Sequence, residues 1–380
     1  MSLKLDDMET FRIDEAEIYA FRVFDIGAEI NLSLAAKTLE ERKKMPYGLK
    51  RPTRSILMTE TPLVVNLESW VETIKEAHYE VQSSAKLWSF GAVSIQVTLK
   101  LISSYTLDEL CEIGHVLEKD NSFHEKVVEQ TKKLISILGD SIEKPNLWPQ
   151  HEDYLIFNIR SWKGESADFR ANFISDSTFS DKFTALILGE RPQKFSAQTK
   201  QSMETGIYQY TNNDLVMIHW NGALIYDQDG ALDITLLIEF ALCTVLEMRY
   251  YDEKLDRQLT RLYEKIVSKK PGIFSNPYKE LSEDAALQYI EVSKIIDKIG
   301  NAFKALGDYY YATLFRVTMQ KFYVQDWKKN VDEKLSSLAE VSILFQGEIN
   351  ERRNQFMEII IIVLIAFEVL PFLIKYVFFS

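Results

Sequence analysis

The sequence predicts an α+β N-terminal domain followed by long α-helices in a coiled-coil-like stalk and one C-terminal transmembrane helix. Three observations carry this. Up to residue 230, short runs rich in β-branched and aromatic residues alternate with amphipathic stretches. Beyond Gly230 the strand signals stop, and apolar residues recur at steps of three and four. The chain ends in MEIIIIVLIAFEVLPFLIKYVFFS, whose only charges are Glu358, Glu368 and Lys375. The boundaries read from these changes are 1–230 for the α+β domain, 231–355 for the stalk and 356–380 for the span.

Within the first region EIYAFRVF reads as a strand and INLSLAAKTLEERKK as a helix. Short strands follow at RSILM and LVVNL, and SAKLWSFGAVSIQVTLK has the form of a hairpin around Phe90 and Gly91. YTLDELCEIGHVLEKD opens a helical pair, with Thr106 placed to cap it ahead of Asp108 and Glu109. After EKPNLWPQ, a second set begins with the strand DYLIFNIRSW, continues through a helix near Asp168 to Leu188 and returns as TGIYQYTNNDLVMIHWNGALIYD.

The second region starts with one helix from Asp233 toward Pro271 and Gly272. A second helix fits Ala285 to Val317, where Ala285, Tyr289, Val292, Ile296, Ile299, Phe303, Leu306 and Tyr310 keep a 4-3 spacing. In the third helix Leu335, Leu338, Phe345 and Ile349 form the stalk stripe, and the same register runs on through Arg352 and Phe356 into the tail.

From Phe356 to Phe379 the tail has about 24 residues, which at ~1.5 Å per residue gives roughly 36 Å against a hydrocarbon core of about 30 Å. Arg352 and Arg353, with Lys328 and Lys329, lie before the span, and this positive flank predicts a cytoplasmic N-terminal domain. Arg352 and Arg353 are the expected headgroup contacts, Glu358 lies near them at the entry, and Lys375 is near enough to the exit to snorkel. Glu368 lies mid-span, where facing lipid costs about 2.5–3.5 kcal/mol. Helical spacing places Ile361, Leu364, Glu368 and Lys375 on one face, the expected contact between subunits.

The net charge of −12 gives no global positive field, so no nucleic acid is expected as a partner. Cys111 and Cys243 are the only cysteines; they read as buried thiols in a reducing compartment. The N-terminus shows neither an apolar signal core nor an Arg-rich, acid-poor leader. Nucleotide loops, serine elbows and zincin motifs are not found, no catalytic activity is expected, and no cofactor is called for.

Among His78, His115, His124, His151 and His219, Cys111 and His115 lie four apart on one helix face and His124 follows, which a metal could use, but no second Cys or His pair supplies the missing ligands, and the commoner arrangement is a core thiol beside a surface histidine. Asp6 with Asp7, and Asp252 with Glu253, read as solvated faces. Lys269 and Lys270 read as helix-end partners of the dipole. Trp88, Phe90, Trp220 and Tyr226 read as core and hairpin aromatics rather than a base-stacking platform.

The segments AEIYAFRVFDIGAEINL, LWSFGAVSIQV, TNNDLVMIHWNGALIYD, KKNVDEKLSSLAEV and RRNQFMEIIIIVLIAFEVL together resemble the required-for-meiotic-nuclear-division family, also called the YagE or domain-of-unknown-function 155 family. The tail carries the resemblance best: an acidic residue, a run of isoleucines and a second acidic residue, here Glu358, Ile359 to Ile362 and Glu368. The resemblance implies a membrane-attached, self-assembling protein without known catalytic activity. With no leader evident, it implies a bacterial-type member.

The expected function is therefore a tail-anchored, self-assembling scaffold or tether, single-pass in the cell inner membrane, with a homo-oligomer, the lipid bilayer and an unidentified protein as partners. The alternative is a homo-oligomeric ion-conducting pore lined by the C-terminal helix, with Glu368 on the cation path.

Overall fold

The computed structural model describes residues 12–41, 46–47, 56–163, 169–211, 213–227, 232–268, 277–306 and 308–379. Chain contacts divide it into two compact units, Met1–Tyr250 with Lys298–Trp327, and Tyr251–Asp297 with Lys328–Ser380. The division falls inside a helix rather than before one. The start of the long helix after residue 231 belongs with the sheet, and so does a helical segment that the sequence assigns to the stalk.

The first unit is built on an eleven-stranded mixed sheet. Its centre is β1 (Arg12–Asp25), the first of fifteen strands among the described residues. The next are β2 (Glu29–Ile30), β3 (Pro46–Tyr47), β4 (Ile56–Met58), β5 (Leu63–Asn66), β6 (Trp70–Ile74), β7 (Ala77–Leu87) and β8 (Ala92–Leu101). After them come β9 (Tyr105–Thr106), β10 (Ile142–Glu143), β11 (His151–Lys163), β12 (Ile207–Tyr208), β13 (Leu215–Ile218), β14 (Gly222–Tyr226) and β15 (Phe303–Leu306). The main order is β12-β13-β14-β11-β1-β8-β7-β5-β3, with β6 on β7 and β9 on β1. β11 and β14 run parallel, and the chain between them is helical before it returns through β12 and β13.

Helices α1 (Leu32–Glu41), α2 (Leu107–Lys119), α3 (Asn121–Leu138), α4 (Phe169–Ser175), α5 (Ser177–Leu188) and α6 (Ala197–Glu204) complete this half. Alternation along β1 sends Ala16, Ile18, Ala20 and Phe24 into the same apolar core as Leu110, Leu117, Phe123 and Val127 of α2 and α3 and Phe183 and Leu186 of α5. Thr106 caps α2 as expected and does so in a capping box: its side chain accepts from the Glu109 N–H, and the Glu109 carboxylate accepts from the Thr106 N–H. The α4–α5 region is not one helix, because the Asp176 carboxylate accepts from the N–H groups of Thr178 and Phe179 and starts a new one. The β7–β8 hairpin turns at Gly91, whose φ of +107° suits glycine and whose missing Cβ leaves room for the Gly27 carbonyl.

The helix α7 (Leu232–Ser268) contributes its first half to this unit. Its buried Glu239 accepts from the Lys86 ammonium of β7 and the Ser94 hydroxyl of β8, side chains that the cross-strand pairing places together. Nearby on α7 Arg249 pairs with Glu152 of β11.

The expected single helix from Ala285 to Val317 is broken in two. Helix α8 (Pro277–Gly300) ends at a glycine, β15 pairs antiparallel with β4, and α9 (Tyr309–Lys321) starts at an Asp308 cap. Phe303 and Leu306 fit the 4-3 spacing, but hydrogen bonding to a strand edge from the start of the chain outweighs that local pattern. The Thr59 N–H donates to the Ala302 carbonyl and extends the join.

The second unit is helical. Tyr251, Leu255 and Leu262 of α7, Leu281, Ala285, Val292 and Ile295 of α8, and Val331, Leu335, Leu338 and Phe345 of the last helix, α10 (Val324–Phe379), are buried. Lys334 bridges Asp252 and Asp256 at 2.7 and 2.6 Å, and Lys254 meets Glu291 at 2.9 Å. Asp252, read from the sequence as part of a solvated face, is thus an interhelical ion-pair partner. Ser282 lies against Ser342, and Tyr278 against Phe345, so α8 and α10 run antiparallel.

Removing one member of a buried ion pair strands the other charge away from water. Lys86→Met is expected to lower the stability of the sheet unit by about 3–5 kcal/mol, and Lys86→Met with Glu239→Leu to recover most of that loss, as read by denaturant unfolding.

Candidate membrane-spanning helix and the polar groups of the sheet unit

Helix α10 changes surroundings along its length. Leu335, Leu338 and Phe345 are buried by the chain's own helices, while Ile349 and Arg352 are half-buried. The stalk stripe is therefore covered within one copy. From Phe356 to Leu370, every large apolar side chain is 40 to 76% exposed, including Ile361 and Leu364 of the expected subunit face.

This is the one helix, among the described residues, long and apolar enough to cross a membrane, and none of its most apolar stretch is buried. At about 2 kcal/mol per large apolar side chain, leaving this segment in water forgoes on the order of 20 kcal/mol of burial. Pro371 sits inside α10 without ending it, an arrangement that spanning helices tolerate.

The predicted charged positions fall as follows. Glu358 and Glu368 are exposed on α10, and Lys375 lies in its last turns. Arg352 places its guanidinium 5.2 Å from the Tyr278 ring centre, so it is partly engaged by the chain itself, whereas Arg353 is exposed.

In the sheet unit the histidines mostly meet protein groups. His78 Nδ1 lies 3.0 Å from Thr73 Oγ1, and His115 Nδ1 3.0 Å from the Gly189 carbonyl oxygen. The Cys111 thiol points to the Lys182 carbonyl, and burial pushes its pKa up to about 12. Cys111 and His115 thus turn to separate carbonyls, and among the described residues no group of three or more His, Cys, Asp or Glu is set to hold a metal ion. Both cysteines are buried. Trp88, Phe90 and Tyr226 are buried as expected, but Trp220 is 59% exposed beside His219. Asp6, Asp7, Lys269 and Lys270 lie outside the described residues.

Sequence reasoning did not find two arrangements made by distant segments. Arg22 is the buried cation on the apolar face of β1. It donates to the carbonyls of Phe21 and Leu117, lies 5.7 Å from the Phe123 ring centre, and is 3.8 Å from Asp153. Beside it the His124 and His151 rings are 4.4 Å apart, and His151 also meets Phe24. The other arrangement is a small recess of about 80 Å³ lined by Trp88, Phe90, Thr59 and Lys298, with Lys298 donating to Glu29 and the Ser89 carbonyl. Ligand pockets run to roughly 300–1,000 Å³.

A mixed-sheet domain followed by helices, the last of them long and apolar, is the class of protein these elements define. The family described as the N-terminal domain of uncharacterized protein MJ0711 matches residues 15–233, and the chain belongs to it. The match begins in β1 and ends at the start of α7. The uncharacterized protein MJ0711 of Methanocaldococcus jannaschii is 29% identical over 169 residues, 44% of this chain and 52% of that protein. The chain thus spans about half the length of the curated relative it matches. No solved structure matches. Neither description bears on the meiotic-nuclear-division resemblance.

Burial lowers the pKa of His151 from 6.5 to about 4, helped by His124, and burial with Arg22 lowers that of His124. Folding therefore favours the neutral rings. Their contribution is complete above pH 6.5 and is lost as pH falls toward about 4, because the unfolded chain binds the extra protons. Urea unfolding at pH 7.0, 5.5 and 4.5 is expected to show a shallower acid loss in His151→Phe than in the parent.

Proposed function

We propose that this chain is a membrane-attached scaffold or tether that assembles with its own kind. The uncovered apolar surface of α10 from Phe356 to Leu370 is the observation that carries the reading. Protein interior does not cover it, and hydrocarbon is the solvent that does so at little cost to the backbone, since a helix pairs its interior N–H and C=O groups within the segment. Arg353 and the lysines at 328 and 329 precede the span, so the sheet domain stands on the cytoplasmic side of an inner membrane.

The resemblance to the required-for-meiotic-nuclear-division family supports the same arrangement. The sheet unit acts as the part that meets other proteins, held at the bilayer by α10, and no catalytic step is assigned to it.

The test keeps the chain full length. Wild-type protein is expected in the carbonate-resistant membrane pellet. Ile361→Lys with Leu364→Lys, at about 2.5–3.5 kcal/mol each for a mid-span charge, is expected to move most of it to the supernatant. Wild-type protein recovered from the aqueous fraction would sink the proposal.

A further inference from the structure

Ile343 and Leu344 are each 67% exposed, although they lie about 13 residues, or ~20 Å, before Phe356 on α10. A bilayer that takes the tail does not reach them. Ile343 begins a row of exposed residues, Gly347, Asn350, Asn354 and Met357, on the side of α10 away from the buried stripe. The steps are four, three, four and three. They continue without a break into Ile361, Leu364 and Glu368, the face already described in the tail.

We propose that this row is the contact with a second copy of the chain, a parallel two-helix seam that passes from water into the membrane in one register. The inference rests on the membrane reading above. A strict repeat of 3.5 drifts by about 20° per heptad on a straight helix, so a row this long stays in contact only when two helices wind around each other.

Parallel order follows from anchoring, because two tails that enter one bilayer in the same direction set equal residues at equal depth. Asn350 and Asn354 then meet their own copies, and side-chain amides pair with one another while disfavouring slipped registers. Glu368 meets Glu368, so that each carboxyl side chain faces a polar group of the other copy rather than lipid.

Charge complementarity specifies the same partner. With Asn354 and Met357 in the seam, Arg353 and Glu358 flank it at a spacing of five. In a parallel pair each arginine faces the glutamate of the other helix. Both side chains are exposed in the single chain.

Single cysteines placed in the full-length chain test this in isolated membranes under a mild oxidant, with the dimer band read on a non-reducing gel. The native Cys111 and Cys243 are buried and serve as the background lane. Ile343→Cys, Asn350→Cys and Asn354→Cys are expected to cross-link at least five-fold more than Glu348→Cys and Gln355→Cys, which lie off the row.

Added to Asn350→Cys, Arg353→Glu is expected to lower the dimer band, and Arg353→Glu with Glu358→Arg to restore it. Equal cross-linking at all five positions, or none in membrane-bound protein, overturns the seam and leaves the membrane reading standing. The same pattern in protein recovered from the aqueous fraction supports the seam and overturns the membrane reading instead.

Discussion

One constraint organises the second half of this molecule: the apolar surface of α10 has two different owners. As far as Phe345 the chain covers its own stripe, with Val331, Leu335 and Leu338 packed among the residues of α7 and α8. From Phe356 to Leu370 the large apolar side chains are exposed. Dispersion and the hydrophobic effect do not distinguish the two stretches by residue type, since both are Leu, Ile, Val and Phe. The distinction lies in what the rest of the chain brings to them. Helix α8 starts opposite Phe345, where Tyr278 stacks on it, and Arg352 of α10 lies 5.2 Å from the Tyr278 ring centre.

The sheet unit meets a different demand. A wide sheet with helices on it buries many polar groups, and each needs a partner. Arg22 gives both terminal nitrogens to backbone carbonyls, and Glu239 takes both Lys86 and Ser94. These contacts join segments far apart in sequence, β7 and β8 to α7, and β1 to α2. They hold the architecture of the sheet unit together.

What the sequence made legible follows from the range of the forces involved. The hairpin at Gly91, the Thr106 cap and the strands β1, β5 and β11 depend on neighbours in the chain, and local pattern was enough to place them. The tail was legible for the same reason, since twelve large apolar residues within one turn-rich run need no partner to be recognised. The break in the Ala285–Val317 helix was not legible. Phe303–Leu306 carries a helical spacing and forms a strand only because Ile56–Met58 offers it an edge. Likewise the stripe through Leu335, Leu338 and Phe345 announced that something covers it, but spacing alone does not say whether the cover is a second copy or the chain's own α8. The close approach of His124 to His151 has no sequence signal, because its two rings come from α3 and β11.

The buried stripe of α10 and its exposed row lie on opposite sides, and this has a consequence for assembly. A contact through the buried stripe would require the helical unit to open, with loss of its core. A contact through Ile343, Asn350 and Asn354 requires nothing to move. Confinement adds to this: once two tails share a bilayer, their aqueous segments meet at a high effective concentration, so a short and partly polar seam that would be weak between free chains is sufficient. In the proposed pair of copies the membrane segment would supply proximity and direction, and the aqueous segment, through its asparagines and the Arg353–Glu358 pairing, register. Polar side chains discriminate between registers better than apolar ones, and the aqueous part of the row carries two of them where the membrane part carries Glu368 alone.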